Sequence, residues 1–332
     1  MKDWLQRRWY APRPAPLALR PLAALYGAIS RTRSARLRAH AQRVGVPVIV
    51  VGNISVGGTG KTPFTIWLVE RLREWGWQPG VVSRGYGGRA AGYPHEVRTD
   101  DEPAVCGDEP LLIAQRARCP VVVDPDRVAA ARRLVARGGV DIVISDDGLQ
   151  HLRLARDLEI CLIDGRRGLG NGALLPAGPL REPPARLASV DLVVVNGAAH
   201  APYAGALRMD LETAAPRRLL DGTAREFAAF RGERVHAVAG IGDPSRFFAG
   251  LVAAGLDVVP HAFGDHHAYR PADLAFGDTR PVLMTEKDAV KCRAFADARL
   301  WAVPVAARLS EDDTARVQQC AAKLRGSVPR NA

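Results

Sequence analysis

No two of the five cysteines, Cys106, Cys119, Cys161, Cys292 and Cys320, form a C-x-x-C pair. An odd, scattered set argues against a disulfide framework and for a reducing cytoplasm. Long apolar runs are missing near the N-terminus, where the charge-free stretch between Arg20 and Arg31 is only ten residues. That is too short to span a bilayer, and no small-residue cleavage site accompanies it, so the segment is expected neither to cross a membrane nor to be exported. Acids are nearly absent from residues 1–43, which hold ten Lys/Arg against Asp3 alone and so carry +9 of the net +11. The remaining body is near neutral. A nucleic-acid enzyme spreads its basic residues through the catalytic body, whereas a basic end with apolar residues points to an anionic membrane surface. Repeats and low-complexity segments are lacking too, and 332 residues at 47% hydrophobic content suffice for two domains.

Within the basic end, Leu22, Leu25, Tyr26 and Ile29 fall at helical spacing, after Trp4, Trp9 and Tyr10 and before Arg31, Arg33, Arg36 and Arg38. Two readings stand: a helix lying in a membrane interface, or an amphipathic helix packed on its own domain.

The most informative segment is VPVIVVGNISVGGTGKTP, Val46 to Pro63, an apolar strand-like run ending in a glycine-rich loop before the helix-like TPFTIWLVERLREWG. This is the pattern of a phosphate-binding loop, Ser55, Val56, Gly57, Gly58, Thr59, Gly60, Lys61 and Thr62. Backbone N–H groups curl around the β-phosphate, the lysine bridges β- and γ-phosphates, the hydroxyl reaches Mg²⁺, and the helix start faces the charge. Pro63 suits that start. The G-x-x-x-x-G-K-[ST] pattern asks for glycine where Ser55 stands, with Gly57 and Gly58 supplying flexibility. Lys61 is expected to face solvent in the empty loop.

Strand-like runs recur at 80–86, 120–124, 140–145, 158–164 and 190–196, with helix-like Asp108–Arg118 and Arg127–Arg137 among them. Continuous apolar strands alternating with helices predict an α/β, P-loop-type parallel sheet covered on both faces, with ligands at the strands' carboxyl ends. After a weaker stretch with room for a short hairpin, a second alternating set follows: RVHAVAG, a helix from Pro244, LDVVPHAF, RPVLMT, a helix near Glu286 to Phe295, LWAVPV and a last helix from about Glu311. The expected division is a basic interface segment 1–43, a nucleotide-binding domain 44–200, a linker 201–232 and a smaller α/β domain 233–332 closing over the site.

Asp146 and Asp147 in VDIVISDDGLQH follow a buried strand, where nucleotide-hydrolysing folds keep the acid that orders Mg²⁺. Asp146 is the first choice for that role, and the alternative is a helix cap. Asp108 in CGDEP stands at a helix start, as a group that positions or deprotonates an acceptor hydroxyl or as an N-cap. FGDHHAY offers Asp265, His266 and His267, which lack a third metal ligand at a convincing spacing. MTEKDAVK brings Thr285, Glu286, Lys287, Asp288 and Lys291 to a strand end, as a capping box with a charged helix face or as lysines that meet phosphate.

In order along the chain, GNISVGGTGKTP, VVSRGYGG, GDEP, ISDDGLQH, IDGRRGLGNGALLPAGPLREP, GIGDPSRFF, FGDHHAY and LMTEKDAVKC closely resemble the tetraacyldisaccharide 4′-kinase family of Gram-negative lipid A biosynthesis. The resemblance implies transfer of the ATP γ-phosphoryl group to the 4′-hydroxyl of a tetraacyldisaccharide 1-phosphate, giving lipid IVA at the cytoplasmic face of the inner membrane. It implies that Lys61 and Thr62 hold phosphate and Mg²⁺, that Asp146 and Asp147 serve the metal region, and that Asp108 is the base with His266 as partner. Gln150, His151, Arg181 and Glu182 would line the substrate site. Leu149 stands where family members often carry Phe, an apolar exchange. The rival classes are a membrane-associated ATPase switch of the partitioning or targeting type and a soluble small-metabolite kinase. The first needs neither GNGALLPAGPLREP nor the second domain's histidines, and the N-terminal charge disfavours the second.

Overall fold

A computed structural model describes residues 8–11, 13–199 and 203–325. Trp4 lies outside them. β1 (Val48–Gly52), β5 (Ile142–Asp146) and β6 (Leu158–Asp164) are runs of branched apolar residues whose side chains are buried on both faces, as a covered parallel sheet demands. With β2 (Pro79–Ser83), β3 (His95–Glu96), β4 (Val121–Val123), β7 (Leu192–Asn196), β8 (Leu207–Thr213) and β14 (Val305–Leu309) they form a nine-stranded sheet of order β14-β8-β7-β6-β1-β5-β2-β4-β3. The pairs around β1 are parallel, with Val51 opposite Asp146 and, next along, Asp164 opposite Asn196. Their carboxyl ends therefore open on one edge.

One face is closed by α2 (Lys61–Glu74), α3 (Asp108–Ala117) and α7 (Glu311–Leu324), which bury Phe64, Leu68, Ile113 and Val317. The other is closed in part by α4 (Arg127–Ala136), through Val128, Ala131 and Leu134. A second sheet, β11-β10-β12-β13-β9, comprises β9 (Arg217–Arg218), β10 (Arg234–Ala239), β11 (Asp257–Ala262), β12 (Val282–Thr285) and β13 (Leu300–Val303). It carries α5 (Pro244–Ala253) and α6 (Glu286–Cys292), with cores around Phe230 and Met284.

The expected domain boundaries need correction at both ends of the second body. β8 falls inside the stretch expected to be linker, yet pairs in parallel with β7; only Leu207 and Met209 of its seven residues are fully buried. Such a half-polar alternating strand lacks the apolar run that marked the others. The chain also leaves the second sheet after Val303, and β14 pairs antiparallel with β8 from Val305↔Thr213 to Leu309↔Met209. β14 and α7 thus belong to the first sheet, and two adjacent strands cross between the bodies, tied by Ala214 N–H to the Pro304 carbonyl at 2.9 Å.

The N-terminal helix α1 (Arg20–Ala39) divides the expected stripe. Ala23 and Gly27 are buried against the 173–177 loop, and Tyr26 turns inward to donate to the Arg181 carbonyl at 3.1 Å. Leu22, Leu25 and Ile29 stay 53%, 57% and 59% exposed. Ala23, Gly27 and Tyr26 pack on the body while Leu22, Leu25 and Ile29 face outward. No helix among the described residues is long and apolar enough to cross a membrane.

Candidate active site

The loop from Asn53 to Gly60 links β1 to α2, as the glycine pattern requires. Gly60 has φ +90°, and a Cβ there would lie 2.7 Å from Asn196 Nδ2. Glycine is therefore demanded twice, by backbone and by space. Position 55 makes no such demand: Ser55 has an ordinary backbone, is buried, and bridges to Leu180 in extended pairing. The loop is braced by Asn53 Nδ2 to the Ser55 carbonyl (2.8 Å) and by Asn196 Nδ2 to the Thr59 carbonyl (3.2 Å). Val56 N–H bonds the Pro179 carbonyl at 2.8 Å.

Lys61 is not solvent-facing. Its side chain is 13% exposed and reaches Asn53 Oδ1 at 3.3 Å and Asp147 Oδ1 at 3.6 Å. Thr62 follows in the first turn of α2.

Asp146 is the last residue of β5, buried, and accepts from Thr65 Oγ1 at 3.0 Å. Burial, then the charges of Glu109 and Asp147, push its carboxyl up to about 7. Asp147 sits in the left-handed region at φ 48°, a strained conformation for a non-glycine residue that aims its carboxylate at the loop. Its Oδ1 is buried without a hydrogen bond, and its charge is met by Lys61 and Arg181, each at 3.6 Å. Burial would raise Asp147, but Lys61, Arg181, Arg127 and His151 outweigh it and hold it low.

These oxygens fit Mg²⁺. No group of three or more His, Cys, Asp or Glu among the described residues can hold a metal by itself. Magnesium, however, is usually bound by one or two carboxylates together with phosphates and water, and a cation would relieve the crowding at Asp146.

Gln150, Arg181 and Glu182 meet beside Asp147. Gln150 Nε2 donates to Glu182 Oε1 at 2.6 Å and to the Asn53 carbonyl at 3.1 Å, while Arg181 Nη1 reaches Gln150 Oε1 at 3.4 Å. Arg186 fixes Glu182 from behind at 3.1 Å. His151 is lowered to about 4 by burial and by the Arg127 and Arg84 charges, so it is neutral at pH 7. Arg127 is a site residue that the sequence did not announce, because it reads as the first residue of an ordinary helix. It is 2% exposed and donates Nη1 to the Asp124 carbonyl at 2.7 Å, while Nε and Nη2 are buried without partners. Its field acts on both Asp147 and His151.

Asp108 opens α3 as its first helical residue, and Gly107 occupies the cap position. Its Oδ2 lies 3.1 Å from Nδ1 of His266, a residue of the second body also held in the left-handed region at φ 61°. Tyr86 lies against the His266 ring at 5.0 Å between centroids. His267 turns away to Asp273 at 3.1 Å between Phe263 and Tyr269. Between the Asp108–His266 pair and the Lys61 cluster stands Glu109, whose charge acts on Asp146 and which pairs with Lys287 at 3.0 Å. The second body also reaches the phosphate loop. Asp243 pairs with Arg166 and, at 3.2 Å, with Arg167, and Arg246 lies 3.5 Å from both Asp164 and Asn196. Asp164 and Asn196 were legible only as strand ends.

A family model described as tetraacyldisaccharide-1-P 4′-kinase matches residues 15–324. The tetraacyldisaccharide 4′-kinase of Alkalilimnicola ehrlichii is 53% identical over 326 residues, covering 97% of this chain and 96% of that one. The enzyme of the same name from Pseudomonas aeruginosa is 51% identical over 301 residues, 90% of each chain. Among solved structures, the "apo" form LpxK from Aquifex aeolicus in complex with ATP is similar at TM-score 0.77 and 27% identity, covering 92% of this chain and 98% of that one.

Proposed function

The chain belongs to the tetraacyldisaccharide-1-P 4′-kinase family, and we propose that it transfers the γ-phosphoryl group of ATP to the 4′-hydroxyl of a tetraacyldisaccharide 1-phosphate through the residues described above. The observation that carries the residue assignment is the pairing of Asp108, from the first body, with His266, from the second, at 3.1 Å on the edge where the phosphate loop opens. Backbone N–H groups of residues 55–60 cradle the phosphates, and Lys61 leaves Asn53 and Asp147 to meet the γ-phosphate. Thr62 and Asp146, with Asp147 behind, would hold Mg²⁺. When bound, that ion neutralises charge developing on the β- and γ-phosphate oxygens.

Asp108 takes the hydroxyl proton. Burial favours its neutral form, but the hydrogen bond from His266 and the neighbouring Lys287, His266 and Lys291 charges hold its carboxyl below the ordinary value. It is therefore ionised and able to accept. His266, raised by its bond to Asp108, aligns that carboxylate. In a loose transition state such alignment counts for more than basicity. Arg181, which is partly exposed, suits an anionic head group, because a guanidinium binds phosphate bidentately. Gln150, His151 and Glu182 orient the sugar by hydrogen bonds.

The acylated substrate stays in a membrane, so we place the enzyme peripherally at the cytoplasmic face of the inner membrane. The outward Leu22, Leu25 and Ile29 of α1, flanked by Arg31, Arg33, Arg36 and Arg38, support contact with an anionic lipid surface. Tyr26 joins that helix to Arg181 of the substrate cluster. Radiolabelled ATP supplied with the lipid disaccharide in mixed micelles, or with water as sole acceptor, tests the reading. Label is expected in the lipid. Release of inorganic phosphate at the same rate with and without lipid would overturn it in favour of an ATPase switch.

A further inference from the structure

The lysines of MTEKDAVK meet neither a nucleotide site nor open solvent. α6 turns them toward Asp108 across the junction of the two bodies. Asp288 is wholly buried and accepts from the Gly240 N–H at 2.9 Å and the Thr285 hydroxyl at 2.6 Å, and it pairs with Lys291 Nζ at 3.0 Å. Anchored there, with its side chain 9% exposed and its ammonium 5.5 Å from the Tyr269 ring centroid, Lys291 extends to Asp108 Oδ2 at 3.5 Å. Lys287 is 3.9 Å from the same oxygen but is divided among Glu109 at 3.0 Å, Asp265 at 3.4 Å and His266 Nε2 at 3.5 Å.

We propose that Lys291, held by Asp288, is a positioning residue for phosphoryl transfer that fixes the Asp108 carboxylate against His266, so that the acceptor-activating pair is complete only when the second body is docked on the first. The inference rests on the reading of Asp108 as the group that meets the acceptor hydroxyl. The groups facing Asp108 are His266 and Asp265 from the segment after β11, Lys287 and Lys291 from α6, and Glu109 and Cys106 on its own stretch of chain. Of the two lysines, Lys291 lies nearer to Asp108 Oδ2, at 3.5 Å against 3.9 Å. Its second partner is immobilised by two further donors, and a buried ammonium persists where carboxylates stand on both sides of it.

The test is the pH profile of kcat at saturating ATP and lipid for Lys291→Met and Lys291→Arg in the full chain. Loss of a cation beside a carboxylate raises its affinity for protons, so the acid limb of kcat moves to higher pH. For Lys291→Met the limb is expected to move by about one pH unit, roughly a tenfold loss on the acid side, with the alkaline plateau lowered as well because the carboxylate is no longer aligned, and with the KM for ATP near wild type. Lys291→Arg keeps the charge and should leave the limb in place. Because the methionine strands a buried carboxylate, Lys291→Met/Asp288→Asn is measured beside it and should show the same displaced limb with a native circular dichroism spectrum. An acid limb unmoved in both methionine variants, or displaced equally by Lys291→Arg, overturns the role of Lys291. Asp108→Asn separates the two readings. If that variant is inactive while the limb stays put, only the role of Lys291 fails; if it turns over normally, the Asp108 reading fails and takes this proposal with it.

Discussion

Replacing Arg186 by methionine should destabilise the first body by about 3 kcal/mol at pH 8, the lower end of the cost of stranding one member of a buried ion pair. The Arg186 side chain is almost fully buried, and its guanidinium contacts Glu182 Oε2 at 3.1 Å, Glu159 Oε1 at 2.6 Å and Ser189 Oγ at 2.7 Å. The two carboxylates differ in what remains without it. Glu159 keeps Arg156 at 3.0 Å, whereas Glu182 keeps only the neutral Gln150 amide at 2.6 Å. Glu182 is therefore the stranded charge, and slight solvent access at its edge places the cost at the low end of the range. Burial would raise the folded-state pKa of that unpaired carboxyl above its unfolded value. The penalty is then full at alkaline pH and shrinks as pH falls through the raised pKa. Urea unfolding followed by circular dichroism at pH 8 and pH 5 reads the effect, and Glu182→Gln in the Arg186→Met background should recover more than half of it. A loss under about 1 kcal/mol at pH 8, or one of equal size at both pH values that Glu182→Gln does not relieve, would refute the ion-pair account.

Lys61→Ala should abolish nearly all turnover while the fold persists, since Asn53 keeps its bond to the Ser55 carbonyl and Asp147 keeps Arg181 at 3.6 Å; turnover within about threefold of wild type would remove the phosphate-loop assignment. Asp146→Asn should lower the affinity for Mg²⁺, read as a raised metal concentration at half-maximal rate, and depress turnover, whereas Asp108→Asn should depress kcat with ATP binding intact. A raised KM for ATP as the main effect of Asp108→Asn would contradict its acceptor-side role. Gln at Arg31, Arg33, Arg36 and Arg38 together should sharply reduce sedimentation with anionic vesicles, each charge contributing on the order of 1 kcal/mol. Binding unchanged by these substitutions, with wild-type binding insensitive to salt, would exclude the electrostatic contact.

The phosphate loop, the parallel sheet and Asp146 were legible because each is a short-range pattern. A strand buried on both faces is an unbroken apolar run, and a loop that must curl without side chains is a run of glycines, as Gly60 shows at φ +90°. The elements at the sheet's edge carry no such short-range pattern. β8 and β14 close the sheet at its edge with alternating, partly polar residues, so neither carries an apolar run, and their pairing joins residues about a hundred positions apart. For that reason β8 was expected to be linker, and β14 with α7 was expected to belong to the second body.

The site divides in the same way. Residue types at strand ends nominated Lys61, Thr62, Asp146, Asp147, Asp108 and the His266–His267 pair before any geometry was known. Residue types alone do not choose between the two histidines; the tertiary structure turns His266 to Asp108 and His267 to Asp273. It also split the N-terminal stripe, because the small side chains of Ala23 and Gly27 allow close approach to the body while Leu22, Leu25 and Ile29 are left outside. Arg127 looked like any first residue of a helix until folding buried it beside Asp147 and His151. The sequence by itself determined the local chemistry, since backbone geometry and strand patterning act over a few residues. Which distant charges share one low-dielectric site, and so what each of them can do, was decided only when the two bodies packed together.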